Sequence, residues 1–355
     1  MKNFSKNHLE DFCKNVFTKM GCSDAHATLA TDVLVKADMR GIDSHGVARL
    51  SGYVRLWEAG RINATPDIRV VHQTPSTATI DGDGGLGLVV APFAMQVAIE
   101  KAQAVGSGWV SVKNSNHFGI GAYHALMAVE KDMVGISMTN ASPLVAPTNS
   151  KERLLGTNPM CFAIPGGKYP PVVSDMATSA AANGKLEIAQ RLNKSIPQGW
   201  VQDKDGQAST DPNELKKGGA LLPLGSMEEA GHKGYALASV VDIFSAVLSG
   251  ANYGPWVPPF VSFLPLAPDM PGQGIGHFLG AMRVDGFRPL EEYNTHIENW
   301  IERFKSSPAI EGQTVLIPGE PETFEYANRL IGGIPLTEAV INDLTELGNK
   351  MGIAF

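Results

Sequence analysis

Cysteine is nearly absent: Cys13, Cys22 and Cys161 are the only three, and no two form a CxxC pair. That excludes a disulfide framework and a structural zinc knuckle, and points to a reducing compartment. Charge is also sparse, at 18% Asp, Glu, Lys and Arg with a formal net charge of −7. No run of Lys and Arg and no basic stripe interleaved with aromatics occurs, so nucleic acid is not an expected partner. No apolar run reaches the ~20 residues that cross a bilayer. The opening MKNFSKNHLEDFCKNVF has the charge spacing of an amphipathic helix and lacks the apolar core of a signal peptide. HExxH motifs, internal repeats and low-complexity tracts are missing too. The expectation is a soluble cytoplasmic protein with no bound metal and no membrane partner.

What remains is an ordinary globular composition of 355 residues, 43% of them hydrophobic, enough for roughly two domains. Residues 1 to about 60 carry helical periodicity in three segments. Phe4, Leu9, Phe12, Val16, Phe17 and Met20 mark the first, which Gly21 stops and after which Ser23 caps the next. The third is expected to begin at Asp43-Ser44-His45-Gly46, with Asp43 or Ser44 as its cap, and to end near Gly60. From about residue 66 the pattern alternates. Strands fit IRVVHQT, TATIDG, WVSV, VGISMTN, MCFAIP, PVVSDM and HFLGAMRVD, and strong helices fit LVVAPFAMQVAIEKAQAV and YALASVVDIFSAVLSG. Proline and glycine make a long loop of Gly254–Gly276. The chain closes in helices. This divides it into a helical unit, 1–65 with 290–355, and an α/β unit, 66–289.

Three stretches invite chemistry. Gly82-Asp83-Gly84-Gly85-Leu86-Gly87 matches the dinucleotide fingerprint GxGxxG. Yet the next strand ends in Lys113 and Asn114 where a ribose-binding acid belongs, so a turn needing positive φ is the better reading. Asp43-Ser44-His45-Gly46-Val47-Ala48-Arg49 gathers a base, a hydroxyl and a guanidinium at a helix start. His45 and Arg49 share a face, with Tyr53 one turn further, and an arginine can hold a carboxylate through two parallel hydrogen bonds. A plain capped helix with an exposed arginine is the alternative. Asn114-Ser115-Asn116-His117-Phe118-Gly119 places His117 where a strand gives way to a helix, with a side-chain pKa suited to proton transfer near neutrality. Asn116 or Ser44 is a candidate to fix an imidazole tautomer. His124, two helical turns beyond His117, is expected to pack or to face solvent. Gly156-Thr157-Asn158-Pro159, Ser174 through Ser179, and Gly231-His232-Lys233-Gly234-Tyr235 are small polar clusters of the kind that meet phosphate or ribose, or are ordinary loops.

Taken in order, DSHGVAR, NSNHFG, TNASPLVAP, GTNP, DMATS, IPQGW, TDP, PLG and HKGYALA resemble the type-2 malate/L-lactate dehydrogenase family, from about residue 5 to about 335. That family includes ureidoglycolate and sulfolactate dehydrogenases and reductases of 2,3-diketo-L-gulonate and cyclic imino acids. The resemblance implies an α/β oxidoreductase with a non-Rossmann mixed-sheet cofactor domain, NAD or NADP as cofactor with NAD preferred, a small organic acid as substrate, and a homodimer. The acid/base histidine carries over to His45 or His117, and the carboxylate-binding residues to Arg49 and Tyr53, with Ser44 and Asn116 beside them. Cofactor contacts carry over to Ala141, to Ser174, Asp175, Met176 and Ala177, to His232 and Lys233, and to Gly319 and Glu320; Ser142 adjoins cofactor and substrate.

Two departures stand out. Ala146-Pro147-Thr148-Asn149-Ser150 replaces the APWGG or APFGG of many relatives. The segment Asn252–His277 holds no arginine or lysine, and Trp256, Pro258, Pro259 and Phe260 make it apolar. A substrate needing a second cationic clamp is therefore disfavoured unless a partner subunit supplies the cation. Outside this family, a Rossmann-type dehydrogenase using GDGGLG and a non-catalytic dinucleotide-binding protein are the competing readings.

Overall fold

The computed structural model describes residues 1–226 and 230–355. The chain starts with a short strand, β1 (Lys2–Phe4), and helices α1 (Lys6–Lys19) and α2 (Asp24–Met39). Ser5 and Ser23 cap these two helices, their hydroxyls accepting from the backbone N–H of His8 and His26 at 3.2 Å. The third helix does not begin at Asp43 or Ser44. A single 3₁₀ turn, Val47–Arg49, leads into α3 (Leu50–Glu58), and the N–H of Val47 donates at 2.8 Å to Oδ2 of the Asp38 carboxyl from α2. A side chain from another helix thus does what a local cap was expected to do, and His45 lies in the turn before the helix.

The middle of the chain runs β2 (Arg69–Gln73), β3 (Thr77–Asp81), α4 (Gly87–Val105), β4 (Ser107–Ser115), α5 (Gly121–Val129), β5 (Met133–Thr139), β6 (Met160–Ile164), β7 (Val172–Met176), α6 (Asn183–Arg191), three two-residue strands β8 (Val201–Gln202), β9 (Ala208–Ser209) and β10 (Ala220–Leu221), then α7 (Gly231–Asp242). A π-helical turn, Ile243–Val247, extends α7. After the long loop come β11 (Ile275–Arg283), α8 (Leu290–Lys305), α9 (Glu320–Gly332), β12 (Ile334–Leu336) and α10 (Glu338–Met351).

The main sheet has seven strands in the order β2-β3-β4-β11-β5-β6-β7. Only β3 and β4 run parallel, joined by α4; every other neighbouring pair is antiparallel. The fold is therefore mixed α/β. Helices α4 and α5 cover one face, packing Val90, Ala94, Met95 and Ala125 on Ile80, Val110, Val112, Cys161 and Leu279. Helix α7 covers the other through Leu237 and Val241 against Ile136, Met138, Met160 and Phe278. Helix α4 is long and apolar enough to cross a bilayer, but it is wedged between the sheet and α2.

The N-terminal helices share one apolar cluster with the far C-terminus, where Leu9, Phe12, Phe17, Leu34 and Leu50 meet Ile334, Leu344, Leu347 and Met351. Strands β1 and β12 seal that union as a two-stranded ribbon. Helix α8 instead packs Ile297 and Ile301 on Ile164 and Val172 at the β6–β7 edge. The DSHG turn, the NSNHFG loop at the end of β4 and the loop before β11 thereby converge on one end of the sheet.

Candidate active site

His45, Arg49 and His117 line a single cavity of about 90 Å³, together with Ser44, Ala141, Ser142, Thr157, Asn183 and Phe260. The two imidazoles lie stacked, ring centroids 5.6 Å apart and planes 22° from parallel. Each is held on Nδ1. Ser44 Oγ lies 2.8 Å from Nδ1 of His45, and Tyr53 Oη 2.6 Å from Nδ1 of His117. A second donor, the Gly119 N–H, reaches the same atom of His117 at 3.3 Å. When Tyr53 donates, the neutral His117 ring carries its hydrogen on Nε2. When Nδ1 carries it, Tyr53 accepts and can turn its own hydrogen to the His117 carbonyl oxygen, 3.5 Å away.

Burial sets the charge state of this pair. Desolvation, and then the nearby Arg49 cation, push His45 down to about 4. His117 is lowered well below its ordinary value, first by burial and then by the charges of His45, Arg49 and His277. Both rings are therefore neutral at pH 7. Arg49 Nε donates to the carbonyl oxygen of Ser44, which fixes the guanidinium beside His45. Among the described residues no aspartate or glutamate lines this cavity, and none lies within ion-pair distance of Arg49. An unpaired guanidinium beside neutral imidazoles makes a cavity selective for an organic anion.

Tyr53 and Asn116 are not among the cavity-lining residues. Tyr53 is fully buried beneath His117, and burial raises its hydroxyl pKa, so it stays protonated. The Asn116 amide nitrogen donates to the carbonyl oxygens of Gly84 at 2.9 Å and Gly85 at 3.0 Å. That contact explains the GDGGLG turn: Gly84 adopts φ of +68°, and its N–H bonds Asn114 O at 2.8 Å, so the turn braces the loop that carries His117. His277 on β11 braces it from the other side, with Ser115 Oγ 2.8 Å from its Nε2 and Thr139 Oγ1 2.7 Å from its Nδ1. Its ring stacks on Phe118 with centroids 4.9 Å apart. His124 is buried as well, its Nε2–H donating to Phe118 O at 2.9 Å. Sequence reasoning missed His277, because a histidine inside an apolar strand gives no local signal of a long-range bond.

A second cavity, about 340 Å³, shares no lining residue with the first and is lined by Arg40, Ala122, Ser174, Asp175, Gly319 and Glu322, among others. Asp175 also accepts from the Ala122 N–H at 2.7 Å, and burial raises its pKa to about 6. Arg40 Nε is buried without a hydrogen-bond partner among the described residues. An orphaned cationic donor in a cleft of this size fits the phosphate-bearing part of a dinucleotide. Glu320 has other duties: its carboxylate pairs with Lys305 and accepts from the Ile317 N–H at 2.9 Å. Met176 is exposed, and Ala177 is half-buried. His232 and Lys233 stand exposed in the first turn of α7 and line neither cavity. Ala141 and Ser142 line the histidine cavity, and Ser142 Oγ accepts from the Phe260 N–H at 2.9 Å.

A family model described as malate/L-lactate dehydrogenase matches residues 4–345. The chain belongs to that family. It is an oxidoreductase acting on a CH–OH group, and the family works with a nicotinamide cofactor. A malate dehydrogenase from Pyrococcus horikoshii is 44% identical over 351 residues, covering 98% of this chain and 95% of the relative. An L-sulfolactate dehydrogenase from Methanocaldococcus jannaschii is 38% identical over 341 residues, covering 96% and 94%. The solved structure of the P. horikoshii enzyme superposes with a TM-score of 0.89 at 41% identity, covering 99% of this chain and 96% of that one.

Proposed function

We propose that the protein interconverts a compact 2-hydroxy acid and its 2-keto acid, with NAD(H) or NADP(H) as the redox partner. The observation that carries this reading is the Arg49 guanidinium, without an ion-pair partner among the described residues, beside two neutral imidazoles in a cavity that no described carboxylate lines. Arg49 grips the substrate carboxylate and presents the C2 oxygen to His117. A nicotinamide held beside this cavity would supply the hydride acceptor for oxidation at C2 and the hydride donor for reduction. His117 Nε2 takes the hydroxyl proton in oxidation from the tautomer with hydrogen on Nδ1, in which Tyr53 accepts that hydrogen and the 3.3 Å bond from the Gly119 N–H is given up; in reduction the imidazolium gives the Nε2 proton back. His45, anchored by Ser44, orients the same oxygen. A substrate carboxylate on Arg49 also offsets the charge that lowers both histidines, so binding raises their basicity.

Ser174, Asp175 and Gly319 are proposed to hold the cofactor with Arg40, and Ala141 and Ser142 to meet its nicotinamide end. Val240, Ile243, Phe244, Val247 and Leu248, each at least 38% exposed, form an apolar stripe on α7 and its extension that supports a homodimer. Three buried free cysteines support a reducing, cytoplasmic setting.

The deciding experiment is a steady-state screen of NADH against NADPH with pyruvate, oxaloacetate, diketogulonate and a cyclic imine, read at the NADH absorbance. Turnover of the imine alone, with no keto acid reduced, overturns the hydroxy-acid reading in favour of an imino-acid reductase. Cofactor binding with no turnover of any of them leaves a dinucleotide-binding protein.

A further inference from the structure

Beside the histidine cavity lies a third chamber, of about 160 Å³, lined by Arg49, Gly52, Arg55, Glu187, Phe260 and Val261, among others. Arg49, Phe260 and Val261 line both. The cation that the loop sequence lacks is thus present, as Arg55 on α3, but on the far side of Phe260. Among the described residues Glu187 is the one carboxylate there, held by the Asn183 amide at 2.8 Å, so two guanidiniums leave the described lining net positive.

Phe260 is fixed at both backbone polar groups. Its N–H donates to Ser142 Oγ at 2.9 Å, and its carbonyl oxygen accepts from Arg55 Nη2. Its ring lies 4.7 Å from that of His117 and meets Tyr53 edge-on at 5.2 Å. The ring needs the space that Gly52 leaves: a Cβ on residue 52 would stand 2.5 Å from Phe260 Cζ. A loop residue tied at each end and backed by a glycine has one place to be.

We propose that Phe260 is a partition that sets substrate length, keeping the acid that Arg49 binds out of the Arg55 chamber. This rests on the 2-keto acid reading above. With the partition in place the accessible cavity is far below the roughly 300–1,000 Å³ of ordinary ligand clefts, which suits a short acid. With it removed the two chambers join, and a longer diacid spans Arg49 and Arg55. Phe260 touches the space where substrate binds, so it determines specificity rather than moving a proton.

The test compares kcat/KM for pyruvate, 2-oxohexanoate and 2-oxoadipate in the wild type, Phe260→Leu, Phe260→Ala, and Phe260→Ala with Arg55→Met. The wild type should favour pyruvate over both six-carbon acids. Phe260→Ala should raise the six-carbon to pyruvate ratio by at least about tenfold, the scale of pocket discrimination per methylene, with Phe260→Leu between. Adding Arg55→Met should cancel the gain for 2-oxoadipate and leave that for 2-oxohexanoate. A wild type indifferent to length, ratios unmoved by both Phe260 variants, or a 2-oxoadipate gain that survives Arg55→Met overturns the proposal. A wild type that reduces none of these acids defeats the functional reading itself, a separate outcome.

Discussion

The phenolic oxygen of Tyr53 lies 2.6 Å from Nδ1 of His117, although 64 positions separate the two residues in the chain. One hydroxyl on α3 thereby sets the orientation of a ring at the end of β4. Tyr53→Phe removes a hydrogen bond worth about 1.4 kcal/mol, so kcat should fall about tenfold with little change in KM. His117→Ala removes the proton carrier and should cost at least ~10² in kcat. Steady-state kinetics at saturating cofactor checks both, and equal losses from the two variants would argue that Tyr53 does more than orient the ring.

Arg49 should reveal itself through geometry and through pH. Arg49→Lys keeps the charge and loses the planar fork, so KM for small 2-keto acids should rise by at least about tenfold, the worth of one charge-assisted hydrogen bond. In the wild type the oxidation reaction needs neutral imidazole. Because burial and Arg49 hold His117 and His45 below 6.5, kcat/KM for oxidation should stay level from pH 8 down past that value before falling. Arg49→Gln removes a charge that depresses both rings, so the acid limb should move to higher pH. An acid limb that stays put would remove Arg49 from the electrostatics of the pair.

Asp38 is a buried carboxyl behind the same turn, and burial pushes its pKa up to about 8 against an ordinary 3.8. The folded protein therefore holds a proton that the unfolded chain releases above pH 4. Stability from this group is fully present below 3.8 and is lost by about 1.4 kcal/mol per pH unit until pH 8, then levels off. Asp38→Asn keeps the neutral form at every pH. Denaturant midpoints at pH 5, 7 and 9 should show the variant gaining on the wild type from 5 to 7, with a smaller gain thereafter; parallel curves would show an ionised Asp38.

Gly46 touches that carboxyl: a Cβ there would stand 2.0 Å from Asp38 Oδ1. Gly46→Ala should destabilise the protein by ~1–3 kcal/mol, the usual penalty of overpacking, and displace His45 with it. Thermal unfolding together with kcat tests this. A variant of wild-type stability and turnover would mean that the turn yields freely.

Much of this was legible where chemistry and pattern are local. Each of the seven strands of the main sheet overlaps one of the β-rich runs, although β4, β5 and β11 reach beyond theirs, and His117 follows a strand end as its neighbours predict. What stayed hidden depends on distant partners. Local pattern offers Asp43 or Ser44 as the cap of the third helix, but Asp43 pairs with Arg329 and Ser44 with His45, leaving Asp38 to bind Val47. Strands β1 and β12, three residues each and from opposite ends of the chain, are too short to carry a period. The apolar run from Tyr235 is helical as its pattern predicts, but a π-helical turn ends it and several of its large side chains face outward. Arg40 and Arg55 carry no local signal, because nothing in their immediate sequence shows which cavity they reach.

Strand β11, residues 275–283, lies between β4 and β5, pairing with both. During synthesis the two strands that flank it emerge more than a hundred residues earlier and must wait, edges unsatisfied, until the last quarter of the polypeptide arrives. Such distant pairing slows acquisition of the native state and exposes the nascent molecule to self-association. The loop bearing His117 acquires its final neighbours only at that late step, so catalytic competence and completion of the sheet should appear together during refolding.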